Sequence, residues 1–170
     1  GLFGLPTGIS ATFIFLFIVF GAFLEKSGFG QFTIDFATAV AGQFRGGPAK
    51  VAVLSSGLMG SISGSSTANA VITGSFTIPM MKKIGFKAHV AAAVEAAAST
   101  GGLIMPPVMA SVGFLMAEYT GIPYARIMKL IVLPAVLYFL SVGIMVHIYS
   151  VKEKIPTIPK EDLPDLKKIV

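Results

Sequence analysis

The sequence predicts an all-α polytopic membrane protein built around a helical hairpin and a discontinuous helix. Three observations carry this. The chain is 54% hydrophobic and only 12% charged, with a mean hydropathy of +0.82, and that charge is about half of what soluble domains carry. The stretch Val51–Met81 has no charged residue, yet at its centre reads Ser-Ile-Ser-Gly-Ser-Ser-Thr-Ala-Asn-Ala over Ser61–Ala70. A second polar break follows at Ser99-Thr100-Gly101-Gly102-Leu103-Ile104-Met105-Pro106-Pro107. In hydrocarbon an unpaired backbone amide or carbonyl costs several kcal/mol, so irregular backbone persists there only against protein or a wet cavity. Two such breaks in apolar segments form the pattern of an ion or substrate site near the bilayer midplane.

The elements follow in order. Leu2–Leu24 is charge-free and can supply the roughly 20 apolar residues of a span, with a helix over Ile9–Leu24 capped by Thr7 or Ser10 after Pro6. Glu25–Gly30 is its exit turn. Phe29–Phe44, carrying Gln31 and Asp35, reads as an amphipathic interfacial or tilted helix ended by Arg45-Gly46-Gly47-Pro48. Ala49–Met59 and Ala70–Met81 read as short helices, each rising about half of a 30 Å core. Arg45 and Lys50 flank the start of this unit and Lys82, Lys83 and Lys87 its end, so the positive-inside rule puts both ends on the cytoplasmic face. That predicts a re-entrant hairpin with Ser61–Asn69 at its tip.

From Ala88 the chain enters again, breaks at Ser99–Pro107, where two prolines lack amide hydrogens, and resumes over Val108–Tyr119. Pro123 starts the next helix, where a missing amide is harmless. Leu130–Val151 is a second charge-free span, returning to Lys152 and Lys154. Arg126 and Lys129 fall at the outer interface. Lys152–Val170 is a charged, Pro-rich stretch resembling a loop between membrane halves. The chain opens on Gly1 without a basic leader, and it is expected to be a piece of a longer permease.

Composition excludes several chemistries. There is no cysteine, hence no disulfide, thiolate metal site or cysteine nucleophile. The net charge of +5 comes from basic residues grouped at segment ends, without the interleaved aromatic and basic surface that binds nucleic acid. No Walker A or GxGxxG loop occurs, and no nucleophile, base and orienter can be assembled. No enzyme and no bound cofactor is expected.

Ser61, Ser63, Ser65, Ser66, Thr67 and Asn69 offer the hard oxygen ligands of an alkali cation, and Gly60 and Gly64 free neighbouring carbonyls. The same two glycines form a GxxxG whose plainer role is close helix packing. Glu95, the sole Asp, Glu, Lys or Arg between Ala88 and Ala117, stands one turn before Ser99 on the same helical face. Three roles suit such a carboxylate: ion or proton coupling, structural acceptor for backbone amides of the hairpin, and a half-helix residue near enough to the cytoplasm to stay hydrated. The adjacent hydroxyls favour structural support. His89 and His147 read as interface residues, and Met80, Met81, Met105, Met109 and Met116 as adaptable packing.

Several segments carry a resemblance: Gly21-Ala22-Phe23-Leu24-Glu25-Lys26-Ser27-Gly28, Phe44-Arg45-Gly46-Gly47-Pro48-Ala49-Lys50, Ser63-Gly64-Ser65-Ser66, Gly74-Ser75-Phe76-Thr77-Ile78-Pro79-Met80-Met81-Lys82-Lys83 and Glu95 through Met109. They resemble the large permease subunit of tripartite ATP-independent periplasmic (TRAP) transporters, most of all the form in which small and large membrane subunits are fused. The resemblance implies an inner-membrane, elevator-type, sodium-driven importer of organic acids delivered by an extracytoplasmic substrate-binding protein. It divides the chain into scaffold helices (1–48), a transport unit (49–121, with hairpin 49–81 and broken helix 88–120), a transmembrane scaffold helix (122–151) and a cytoplasmic loop between inverted repeats (152–170). It implies that Ser61, Ser65, Ser66, Gly101 and Gly102 hold one sodium ion, that Thr67, Asn69, Thr100 and Pro106 face substrate, and that Glu95, Gly60 and Gly64 give structural support. The second repeat and the small-subunit helices complete the site, within the lipid bilayer. Two rivals are a binding-protein-independent anion/sodium symporter and a non-transporting membrane scaffold.

Overall fold

The structure is a computed structural model that describes residues 7, 8 and 10–157. The expected contributions of residues 1–6 and of the loop beyond residue 157 lie outside the described residues. Those described are mostly helical, with no strand among them.

A π-helical turn, Ser10–Ile14, leads into α1 (Phe15–Lys26). Gly28, at φ +88°, turns the chain into α2 (Phe29–Ala41). One face of α2 is buried through Ile34, Ala37 and Ala41, while Gln31 donates to Asp35 on another (2.9 Å). The expected amphipathic helix therefore forms, but stops at Ala41.

The hairpin consists of α3 (Gly47–Ser63) and α4 (Ser66–Lys83), joined through Gly64 and Ser65 alone. Gly64 supplies the left-handed turn (φ +57°), and Ser65 is extended, its Oγ accepting from Ala68 N at 3.3 Å as the N-cap of α4. Here the structure departs from the sequence reading. The arms have 17 and 18 residues rather than short helices flanking an irregular tip, so each rises about 26 Å, near the thickness of a hydrocarbon core. The physical reason is that serine and threonine hydroxyls return to the preceding turn, as Ser61 Oγ does to Leu58 O (2.6 Å) and Thr73 Oγ1 to Asn69 O (2.7 Å). A hydroxyl satisfied in this way lets a polar run stay helical.

α5 (Ala88–Gly101) runs on through Ser99, Thr100 and Gly101, the first three residues of the expected break. A 3₁₀ turn at Gly102–Ile104, the extended Met105 and the prolines 106 and 107, joined by a cis bond, then interrupt the helix. It resumes as α6 (Ala110–Thr120), with its N-cap Met109 and its first residue Ala110 both at φ 48°. The expected discontinuous helix is thus present. Last comes α7 (Tyr124–Lys152), with Pro123 as N-cap, the one helix among the described residues long and apolar enough to cross a membrane. Its exposed Leu130, Leu133, Leu137, Ile144 and Met145, like Phe15, Leu16 and Phe23 of α1, leave broad apolar surface outside the fold. Monomeric soluble proteins rarely expose such continuous apolar area.

The core joins the lower hairpin to α5 and α7 through Ala49, Ala52, Val53, Met81, Ala91, Ala98 and Val146, all buried. Alanines at the contacts let the helices approach closely. At this end Gly46 lies against Ser150, Arg45 Nε donates to Ile155 O (3.1 Å), and Phe86 stacks on Tyr149 (5.7 Å). The hairpin's start, its exit and the C-terminal end of α7 therefore share one end of the fold, and the basic residues of all three gather there.

Candidate functional site

The hairpin tip is locked to the helix break by backbone. Val108 N donates to Ser61 O at 3.2 Å. A Cβ built on Gly64 would stand 2.9 Å from Val108 Cγ1 and 3.0 Å from Ala110 N. Built on Gly60, it would stand 2.3 Å from Gly102 Cα. Only glycine allows that approach, so Gly60, Gly64 and Gly102 bring the end of α3 onto the break.

Beside this contact, Asn69 is wholly buried, its Nδ2 donating to Ser56 O (2.9 Å) while Oδ1 has no hydrogen-bond partner. An orphaned buried amide oxygen is uncommon in proteins. It marks a polar point between the tip and the break.

One helical turn lower stands the most connected side chain of the site. Glu95, 2% exposed, accepts from Ser56 (3.1 Å), Ser99 (3.0 Å) and Thr73 at Oε1, and from Thr77 at Oε2. Ser56 and Thr73 also touch each other at 3.1 Å. Gly74 has no side chain to separate α4 from Glu95, for a Cβ there would be 3.0 Å from Glu95 Cγ. One carboxyl therefore ties both hairpin arms to α5.

Past the tip, on its α6 side, lies a cavity of about 220 Å³ lined by Ile14, Ile18, Ser63, Gly64, Ser65 and the first turn of α6 with Phe114. The N-termini of α4 and α6 both reach it, starting at Ser66 and Ala110. Unsatisfied amides at helix N-termini favour anions. Tyr124 buttresses the break from α7, stacking on Phe114 (4.5 Å between centroids) and donating to Pro107 O (2.5 Å) and Val108 O (3.0 Å).

The residues singled out in the sequence fall in three groups. Gly60, Gly64, Ser61, Gly102 and Asn69 converge at the junction, and Ser65 caps α4 next to it. Ser66 is half-buried at the first position of α4, Thr67 follows it exposed, and Pro106 is half-buried in the break. Gly101 and Thr100 point elsewhere: a Cβ on Gly101 would meet Tyr138 (2.6 Å) and Phe139 (2.8 Å) of α7, and exposed Thr100 donates to Ala96 O (2.7 Å). The sequence points to Ser99, one turn on, as a partner of Glu95, and the structure adds three more. They are Ser56, Thr73 and Thr77, in mid-arm. The signal was there, since Asn69, Thr73 and Thr77 recur every four residues and form one polar stripe on an apolar helix.

Residues 6–170 match the family model described as tripartite ATP-independent periplasmic transporter, DctM component. The chain is 32% identical over 147 residues to the C4-dicarboxylate TRAP transporter large permease protein DctM of Pseudomonas aeruginosa, covering 86% of this chain and 34% of that protein. It is 33% identical over 145 residues to the protein of the same name from Vibrio cholerae (85% and 31%). Over 91 residues it is 33% identical to the isethionate TRAP transporter permease protein DctMQ of Oleidesulfovibrio alaskensis (54% and 14%). No solved structure matches. The chain spans about a third of the length of the first two of these relatives. With a matched region that takes in the hairpin, the break and α7, the chain belongs to the DctM-component family of tripartite ATP-independent periplasmic transporters.

Proposed function

We propose that this chain supplies one wall of the transport site in an inner-membrane permease that imports organic anions. The observation carrying the proposal is the junction itself: a hairpin tip hydrogen-bonded to a broken helix, with two helix N-termini and the hydroxyls of Ser63 and Ser65 around one cavity. Such termini suit a carboxylate. The C4-dicarboxylate relatives make a dicarboxylic acid the first substrate to test.

In this reading Ser61, Ser65, Ser66 and the main-chain carbonyls of Gly101 and Gly102 hold the coupling sodium, Thr67, Asn69 and Pro106 face the substrate, and Thr100, whose hydroxyl returns to Ala96 O, does not. The oxygens that the junction offers a cation are hydroxyls and main-chain carbonyls, neutral ligands which alkali ions accept. The hairpin is re-entrant, both ends cytoplasmic; support for this comes from Arg45, Lys50, Lys82, Lys83 and Lys87 at its base rather than from short arms. The second repeat and the small-subunit helices close the site, an extracytoplasmic binding protein delivers the substrate, and the hairpin with its broken helix moves as an elevator body.

The test is uptake of a labelled C4-dicarboxylate by the full permease in proteoliposomes. Uptake is expected only with both the binding protein and an inward sodium gradient. Sodium-driven uptake without the binding protein would favour the symporter reading, and no uptake of any organic anion by a folded permease would favour the scaffold.

A further inference from the structure

On the side of α3 away from Glu95, a groove of about 480 Å³ opens between α2, α3 and α7. Its floor is apolar, from Val53, Leu54 and Leu58 on α3 to Val136, Leu140 and Ile144 on α7. From Lys50 to Leu58, or from Ile144 to Val136, the helical rise is about 12 Å, close to the depth of a single leaflet of a roughly 30 Å core.

The polarity of the groove is one-sided. Its only charged lining residue is Lys50, at the end where the basic residues of the fold gather. Lys50 Nζ lies 3.1 Å from His147 Nδ1 and 5.4 Å from the centroid of the Phe44 ring, and no carboxylate pairs with it among the described residues. An ammonium can only donate, so Nδ1 accepts and the imidazole keeps a donor at Nε2. One positive charge thus stands at the mouth of an acyl-length apolar channel, with the exposed His147 imidazole in contact with it.

We infer that this groove seats an anionic phospholipid of the cytoplasmic leaflet, its phosphate at Lys50 and His147 and one acyl chain along α3 and α7. Charge complementarity selects the headgroup, and groove length matches the chain. The channel ends at Met105, inside the helix break, and Phe139 on its wall packs against both Gly57 and Gly101. The lipid therefore touches the element that forms the proposed transport site. This rests on the membrane placement proposed above, while transport itself is read out separately by uptake.

The test uses the full permease in nanodiscs with a phosphatidylglycerol that carries a photoactivatable group midway along one acyl chain, against the same label on phosphatidylcholine. Cross-links are expected on peptides holding Leu54–Leu58 and Leu140–Ile144, favouring phosphatidylglycerol by about fivefold, as one basic residue near anionic lipid provides. Lys50→Gln should abolish that preference. Gly143→Leu should reduce labelling by both lipids, because Gly143 lines the groove and a Cβ there has nothing within 4 Å, so the added side chain fills space without a clash. Equal labelling by the two lipids in the parent would overturn headgroup recognition. Labelling of other helices but not α3 and α7 would overturn the lipid site, showing that another permease segment covers the groove.

Discussion

Gly60 and Gly102 meet backbone to backbone, each so close that a Cβ built on Gly60 lies 2.3 Å from Gly102 Cα, and one built on Gly102 lies 2.8 Å from Gly60 Cα. Both contacts are with main chain, which cannot rotate away. Gly60→Ala or Gly102→Ala must therefore separate the hairpin from the break. Overpacking of this kind costs about 1–3 kcal/mol. In the full permease either substitution is expected to lower the melting temperature and abolish uptake, while Gly143→Ala, at an open position, should leave both unchanged. Parental stability in Gly60→Ala would show that the two main chains do not meet at this junction.

Glu95 gives the second prediction. Its four hydroxyl partners come from α3, α4 and α5; in Glu95→Ala, Thr73 keeps Asn69 O and Ser56 keeps Thr73 Oγ1 as acceptors, but Thr77 and Ser99 lose theirs in a buried site, at about 1–3 kcal/mol for each group left unpaired. Glu95→Ala should lose both stability and uptake. Glu95→Gln keeps the shape, one acceptor oxygen and an amide that can donate to the threonines, so uptake should persist at a modestly reduced rate with its sodium dependence intact. If Glu95→Gln melts like the parent but transports without sodium, the carboxylate charge belongs to the coupling mechanism.

Much of this arrangement was legible in the sequence, and the departures have two causes. The hairpin, the break and the special place of Glu95 followed from polar and glycine-rich runs in charge-free surroundings. The extent of irregular backbone did not. The polar runs around Ser61, Ser99 and Thr100 suggest helix breaks, yet all three lie in helices, because a hydroxyl that bonds a carbonyl three or four residues back, or Glu95 one turn away, needs no irregular backbone. The facing of Gly101 toward Tyr138 and Phe139 was likewise hidden. It depends on where α7 packs, which no local pattern encodes.

The topology of the hairpin can be checked directly. Gly46 is a poor position for a reporter, since a Cβ there would stand 2.0 Å from Ser150 Oγ. Gln43 and Lys87 flank the hairpin and are exposed. With no cysteine in these 170 residues, Gln43→Cys and Lys87→Cys in a permease otherwise freed of cysteine should both react with an impermeant maleimide only from the cytoplasmic side, and Glu118→Cys, beyond the break, only from the opposite side. Labelling of Gln43→Cys and Lys87→Cys from different faces would rule out the re-entrant hairpin.

Sodium coupling is best probed at Ser66, because the alternatives confound ligand loss with packing. Gly101→Val would drive a side chain into Tyr138, where even a Cβ comes within 2.6 Å. Ser65 caps α4 through Ala68 N, and losing a cap costs about 1 kcal/mol whatever the ion does. Ser66 stands at the first position of α4, half-buried, and its hydroxyl is not the cap. Ser66→Ala should therefore leave the melting temperature within error. It should raise the sodium concentration for half-maximal uptake by about tenfold, the equivalent of roughly 1.4 kcal/mol. A sodium activation curve that superimposes on the parent's, at equal expression, would remove Ser66 from the cation site and leave the ion to the carbonyls of the junction.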